Sequence, residues 1–285
     1  MPRPARSCLT ALFLVGVTLP AWADDNEEPL PGNVLMTFAA MGDIPYSGDE
    51  EDDLEDQLEE LPPSVELVLH VGDIQSDPGG DCDEEVYETV SDILKLSPRP
   101  VFIVPGDNEF NDCDNAEEAL ELWIESFVGL EDLWPLTFPV MRQPERPENV
   151  AFVTNGVLFV GLNLVGGLVH DDDEWEERHR QDLDWTLQQV GMNLETAHAV
   201  VLFAQAAPQD KHEDYFDDDL FDALSDFGKP VLYVHGDGHE WIDDQPFPPD
   251  NMWRVQVERG GDAPPVVVTV TDNPEQPFIY DRGGD

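Results

Sequence analysis

The stretch VLMTFAAMGD, residues 34–43, is an apolar run of strand length closed by a glycine and an aspartate. The same pattern returns in VELVLHVGD at 65–73 and in VFIVPGD at 101–107. Each run leads through a polar loop into a stretch with helical spacing. These helices are expected at Glu51 to Glu60, Glu84 to Leu96 and Ala116 to Phe127, the last carrying Leu120, Trp123, Ile124 and Phe127 at helical intervals. Strand, loop and helix in alternation build an α/β sheet with crossover helices.

Outward from these units the alternation continues. Val150 to Thr154 and Val157 to Leu164 predict a hairpin turning at Asn155-Gly156, a pair that accepts the positive φ of a tight turn. A helix is expected from Glu174 to Val190, with Trp175, His179, Leu183, Leu187 and Val190 on one stripe. Strand Ala199 to Ala204, helix Tyr215 to Phe227, strand Val231 to Val234 and strands near Trp253 to Glu258 and Val266 to Val270 complete the reading. The sequence has no internal repeat, no interdomain linker, no Walker loop and no G-x-S-x-G elbow. Nucleotide cradling by a P-loop and serine-hydrolase chemistry therefore lack their signatures.

The 285 residues include 63 Asp and Glu against 13 Lys and Arg, a formal charge of −50. Nucleic acid is held by clustered Lys and Arg. With only Lys95, Lys211 and Lys229 for lysines and no basic cluster, a nucleic-acid coat and an anionic membrane surface are both disfavoured as partners. A content of 41% hydrophobic and 9% aromatic residues nevertheless exceeds that of disordered acidic chains, so the protein should fold. Such a surface suits concentrated salt, where self-repulsion is screened, or belongs to an ordinary acidic secreted protein.

Residues 1–23 carry Arg3 and Arg6, an apolar run from Leu9 to Leu19, and Ala21-Trp22-Ala23. This is the form of a secretory signal peptide. No stretch reaches the roughly 18 apolar residues of a membrane span. The expected product is exported to the periplasm or beyond, with an acidic leader at 24–33 and one domain at 34–285. Cys8 leaves with the signal, and the remaining pair, Cys82 and Cys113, reads as one disulfide, with two free thiols or a metal pair as alternatives.

Sites in α/β sheets form at the carboxyl ends of strands. There the sequence places Asp43, Asp73, Asp107, Gln205 and the segment His235-Gly236-Asp237-Gly238-His239. One Gly-Asp pair alone is an ordinary turn or helix cap. Several carboxylates delivered together, without bases, call for a neutralising cation.

The blocks Gly42-Asp43, Gly72-Asp73, Gly106-Asp107-Asn108-Glu109 and Gly236-Asp237-Gly238-His239 resemble, in order and spacing, the calcineurin-like metallophosphoesterase pattern D-x-H, G-D, G-N-H-[D/E], H, G-H-x-H. The resemblance spans about Val34 to Asp243. It implies a four-layer sandwich of two packed mixed β-sheets flanked by helices, and two divalent metals that activate a water against a phosphate ester. Position by position, Asp43 and Asp73 match the first two aspartates, and Pro45 stands in place of a histidine. Asp107 replaces the ligand asparagine, and Asn108 the histidine that assists the leaving group. Gln205 takes the fourth-block histidine, Asp237 replaces the first histidine of the last block, and His239 keeps the second.

The implied ligands are Asp43, Asp73 and His239 for one metal and Asp73, Asp107, Gln205 and Asp237 for the other. Oxygen-rich sets favour Mg²⁺, Mn²⁺ or Ca²⁺ over Zn²⁺. Asn108 and His235 are the expected catalytic side chains, although His235 could simply finish its strand. Tyr46 and Glu109 are the expected substrate contacts, with mere packing as the alternative for Tyr46 and orientation of a water behind the ligands as the alternative for Glu109. His70 is expected in the core or behind the ligands. A Cys82–Cys113 bridge would pin the loops of Asp73 and Asp107 together. The implied function is a secreted phosphoesterase acting on a phosphorylated small molecule, monoester or diester; the alternative is a non-catalytic relative that binds metal or a ligand.

Overall fold

The computed structural model describes residues 32–283. The expected signal segment and all but the end of the leader lie outside them. In chain order the first half gives β1 (Val34–Met41), α1 (Gly48–Glu59), β2 (Leu67–His70), α2 (Glu84–Leu94), β3 (Val101–Ile103) and α3 (Ala116–Phe127). The three strands lie side by side and parallel, as their shared pattern predicts. All three helices cover one face of this sheet. Leu54, Leu58, Tyr87, Leu94, Trp123 and Phe127 are buried there against Ala39, Met41, Val68 and Ile103.

The second half supplies β4 (Val140–Arg142), β5 (Val150–Thr154), β6 (Val157–Gly161), α4 (Asp172–Asn193), β7 (Ala199–Phe203), α5 (Asp218–Phe227), β8 (Val231–His235), β9 (Ile242–Asp244), β10 (Met252–Gln256), β11 (Val266–Thr271) and β12 (Phe278–Asp281). One sheet has five strands, ordered β12-β11-β1-β2-β3, and the other seven, ordered β4-β5-β6-β7-β8-β10-β9. β6, β7, β8 and β10 run parallel, with antiparallel strands at the edges. The sheets pack face to face through Phe38, Phe102, Phe152 and Phe159, with Phe102 and Phe152 stacked 4.0 Å apart. α4 and α5 cover the outer face of the larger sheet. Helices, sheet, sheet and helices make a four-layer sandwich. No helix among the described residues is long and apolar enough to cross a membrane.

Three strands have no counterpart in the sequence reading: β4, β9 and β12. They are short edge strands of three or four residues, and β9 is Ile-Asp-Asp, without the apolar run that marks a buried strand. α5 begins at Asp218 instead of Tyr215 because Asp217 caps it, accepting from the Leu220 amide at 2.9 Å. α4 buries the expected Trp175, His179, Leu183 and Val190, and beside them a second, polar stripe of Arg178, Asp182, Thr186 and Gln189.

Candidate functional site

Both sheets contribute to one rim, where the carboxyl ends of β1, β2, β3, β6, β7 and β8 come together. The backbone turns sharply at the aspartates themselves. Five non-glycine residues among those described have positive φ, and four are Asp43 (55°), Asp73 (58°), Asp237 (69°) and His239 (59°); Asn155 of the hairpin is the fifth. Left-handed backbone costs a residue with a Cβ, so its concentration here marks a functional rim. The Asp73 and Asp107 loops touch through glycine. A Cβ on Gly72 would stand 2.5 Å from the Gly106 amide, and one on Gly106 would collide with Asp73.

Behind the loops, His70 is fully buried. Its Nδ1 accepts from the Gly72 amide at 3.3 Å, so its Nε2 carries the proton and donates to the Ile44 carbonyl at 3.1 Å. Burial lowers this imidazole to about 4, keeping it neutral. His70 thus ties the first ligand loop to the second.

Asp43 Oδ1 accepts from the Asp237 amide at 3.1 Å, lies 3.3 Å from His239 Nε2, and is reached by the Tyr46 hydroxyl at 3.4 Å. Its Oδ2 is buried without a partner. Asp73 accepts from the Asn108 amide and from Asn108 Nδ2, each at 3.2 Å, and from Tyr46 at 3.1 Å. Asp107 Oδ1 accepts from Gln205 Nε2 at 2.7 Å, while Gln205 Oε1 accepts from the Gly166 amide at 2.6 Å. A Cβ on Gly166 would meet Asp237 Oδ1 at 3.0 Å and Asp107 Oδ2 at 3.2 Å, so these two carboxylates face a common space.

Burial, then the charges of Asp107, Glu109 and Asp43, hold Asp73 well above the usual carboxylate range. Burial and the Asp237 charge raise Asp107 to about 6, and burial and the Asp43 charge raise Asp237. His239, 44% exposed, is raised by its hydrogen bond with Asp43. It makes the only ion pair that these four aspartates have among the described residues.

The family model for calcineurin-like phosphoesterases matches residues 36–241. The chain belongs to that family. Among solved structures, GAP50, the anchor in the inner membrane complex of Plasmodium, superposes with a TM-score of 0.50 at 10% identity, over 87% of this chain and 88% of that one. The 5'-nucleotidase of Candida albicans superposes with a TM-score of 0.51 at 12% identity, over 86% of this chain and 50% of that one. The chain therefore spans about half the length of that nucleotidase. At these identities the likeness is one of fold. Comparison with curated protein sequences finds no match.

Within the family frame, two expected roles need correction. Glu109 does not face substrate: it is fully buried, its Oε1 accepting from the amides of Gly106 (2.6 Å) and Asp73 (3.2 Å) and its Oε2 from Ile74 (3.2 Å). It clamps the backbone of both ligand loops, with burial raising it to about 7 against the pull of those N–H groups. His235 does not reach the rim as a proton donor. Its ring is buried against Tyr233 at 5.3 Å, its Nδ1 lies 2.9 Å from the Gly236 carbonyl, and burial lowers it to about 3. Strand alternation explains this: Leu232 and Val234 enter the core between the sheets, which turns Tyr233 and His235 to the helix side.

Tyr46 does more than pack, since its hydroxyl touches Asp43, Asp73 and, at 3.2 Å, His239 Nε2. Burial, then the charges of Asp73 and Asp43, push that phenol far up, so it stays a neutral donor. Cys82 and Cys113 are joined, with Cα atoms 5.5 Å apart. Gln75, which the sequence does not single out, donates to the Asn108 carbonyl at 2.8 Å and steadies the same loop.

No three His, Cys, Asp or Glu side chains among the described residues form a metal cage as they stand. The donor set still fits a hard divalent cation. Asp43 Oδ2 is buried and unpartnered; burial first, and then neighbouring carboxylate charge, raises Asp73 (from Asp107, Glu109 and Asp43), Asp107 (from Asp237) and Asp237 (from Asp43). Oxygen donors dominate, as such cations require. Asp73, Asp107 and Asp237 would supply one half of this set, where the expected ligand Gln205 turns its Nε2 and not its oxygen to Asp107; Asp43, Asp73 and His239 would supply the other, where the Tyr46 hydroxyl touches all three.

Proposed function

We propose that the chain is an exported, divalent-cation-dependent phosphoesterase that hydrolyses a phosphorylated small molecule. The reading is carried by the convergence of Asp43, Asp73, Asp107, Asp237, His239 and Gln205 on one rim of a calcineurin-like sandwich, with no Lys or Arg paired to these aspartates among the described residues. A bound Mg²⁺, Mn²⁺ or Ca²⁺ would polarise the ester and lower the pKa of the attacking water. The chain's own residues provide the frame: Glu109 and His70 hold the ligand loops, Gly166 fixes the Gln205 amide, and Asn108 steadies Asp73. Export through a signal at 1–23, with 34–285 as the folded domain, is supported by the sequence pattern and by the Cys82–Cys113 bridge.

A cavity of about 430 Å³ opens beside Tyr46, lined by Ser47, Gln75 and Thr89 and by the acids Glu51, Asp83 and Glu85. No basic side chain lines it, so it suits a neutral or cationic alcohol group better than a second phosphate. The test is turnover of aryl phosphate monoesters and diesters with Mg²⁺, Mn²⁺ or Ca²⁺, beside Asp73→Asn. Cation-dependent turnover that falls roughly 100-fold or more in the variant is expected. Turnover that survives in Asp73→Asn would belong to a contaminant.

A second reading, a non-catalytic protein that binds a cation or ligand, is favoured by Asn108 at the place of the assisting histidine and by the hydroxyl of Tyr46 among the ligands. Cation binding without turnover of any ester on the same panel would select it.

A further inference from the structure

Resting on the cation-binding reading above, we infer that the Tyr46 hydroxyl stands where the first cation of the family would lie, between Asp43, Asp73 and His239, so that this chain takes one divalent cation, held by Asp107 and Asp237 with Asp73.

The geometry is that of an oxygen inserted among ligands. Tyr46 Oη lies 3.1 Å from Asp73 Oδ2, 3.2 Å from His239 Nε2 and 3.4 Å from Asp43 Oδ1. A hydroxyl can donate to a carboxylate and accept from an imidazole N–H at once, so it satisfies both kinds of neighbour. A hard cation needs its donors at about 2.0–2.6 Å from one point. A hydroxyl that already contacts all three donors leaves no room for that point.

The side chain is held, not resting there by chance. The Arg259 guanidinium lies 4.7 Å from the centre of the Tyr46 ring, and Arg259 is itself paired with Glu50 and Asp262. Glu50 also accepts from the Tyr46 amide at 2.8 Å. The His239 ring lies against the phenol at 5.8 Å between centres. The sequence supplies the exchange: Pro45 occupies the place of the family's histidine, and the next residue delivers the hydroxyl.

Asp43 Oδ2 stays buried and unpartnered despite the hydroxyl. The half is thus stoppered without being neutralised, and removing the phenolic oxygen should let a cation enter. In the opposite half no hydroxyl stands among the carboxylates: Asp107 Oδ2 and Asp237 Oδ1 face a common space beside Gly166, while Gln205, its Oε1 held by the Gly166 amide at 2.6 Å, donates from Nε2 to Asp107 Oδ1 at 2.7 Å and orients that carboxylate.

The experiment is Mn²⁺ stoichiometry by equilibrium dialysis on the chelator-treated whole protein, with paramagnetic resonance to detect paired Mn²⁺ ions and a melting curve to confirm folding. The wild type should bind one Mn²⁺ per chain with an uncoupled spectrum. Tyr46→Phe, which keeps the ring, should bind two with a coupled spectrum, and Tyr46→Phe with Asp107→Asn should return to one. Two ions in the wild type, one in Tyr46→Phe, or an ionised-tyrosine absorbance change on Mn²⁺ addition that Tyr46→Phe abolishes would each overturn the inference. Two ions together with cation-dependent turnover would overturn it alone; no ion bound and no turnover would overturn the proposed function as well.

Discussion

A single buried carboxylate away from the rim shows how this fold handles charge. Asp182 of α4 is fully buried, its Oδ1 accepting from Asn149 Nδ2 at 2.6 Å and its Oδ2 unpartnered. Burial raises it to about 8, against the pull of Asn149, Arg146 and Arg178. The native chain therefore keeps a proton that the unfolded chain releases near pH 4. Because the native state binds more protons across that window, the stability linked to Asp182 is present at pH 4 and lost as pH rises through about 8. The buried imidazoles of His70, His179, His212 and His235, lowered to about 4, 3, 4 and 3, act in the opposite sense, but only below about pH 6.5. Asp182→Asn keeps the bonded oxygen and removes the titration. Its stability relative to wild type should therefore climb by about 1 kcal/mol or more between pH 6.5 and 8.5 in urea unfolding; a pH-independent difference would contradict the assignment.

At the scale of elements, the bridge between Cys82 and Cys113 joins the segment before α2 to the loop before α3, at a separation of 31 residues. Replacing both cysteines by serine should cost about 3–4 kcal/mol in urea unfolding. It should also weaken cation binding, because the same loop carries Asp107 and Asn108. The fold was largely legible at this scale, since long apolar runs ending in Gly-Asp can only be buried strands meeting a polar rim. β4, β9 and β12 were not, because short edge strands carry little apolar signal of their own. The polar stripe of α4 was hidden for another reason: Asp182, Thr186 and Gln189 look solvent-facing until tertiary packing brings Asn149 and Tyr215 over them. Within the site, the sequence identified which residues end the strands but not where their side chains turn. Glu109 reads as a substrate contact until three bare amides are seen to surround it. The reach of Tyr46 depends on a left-handed turn at Asp43 that no pattern announces.

For the whole molecule, the formal charge of −50 separates into a solvated coat and a few inward acids at the rim. An anionic phosphoester must approach through the field of that coat. Activity or substrate binding should thus rise with ionic strength toward molar salt, where the Debye length is near 3 Å; a steady fall with added salt would break the link between coat and site. The fold leaves the choice between enzyme and binding protein open to the site itself, since its solved likenesses include an inner-membrane-complex anchor and a nucleotidase. The most direct measurement is phosphoester turnover in molar salt, before and after removal of divalent ions by chelation, for wild type and Asp73→Asn. Turnover that is abolished by chelation, restored by Mn²⁺ or Mg²⁺, and at background in Asp73→Asn is the predicted result. Turnover indifferent to chelation, or no turnover from wild-type protein with its cation bound, would contradict it.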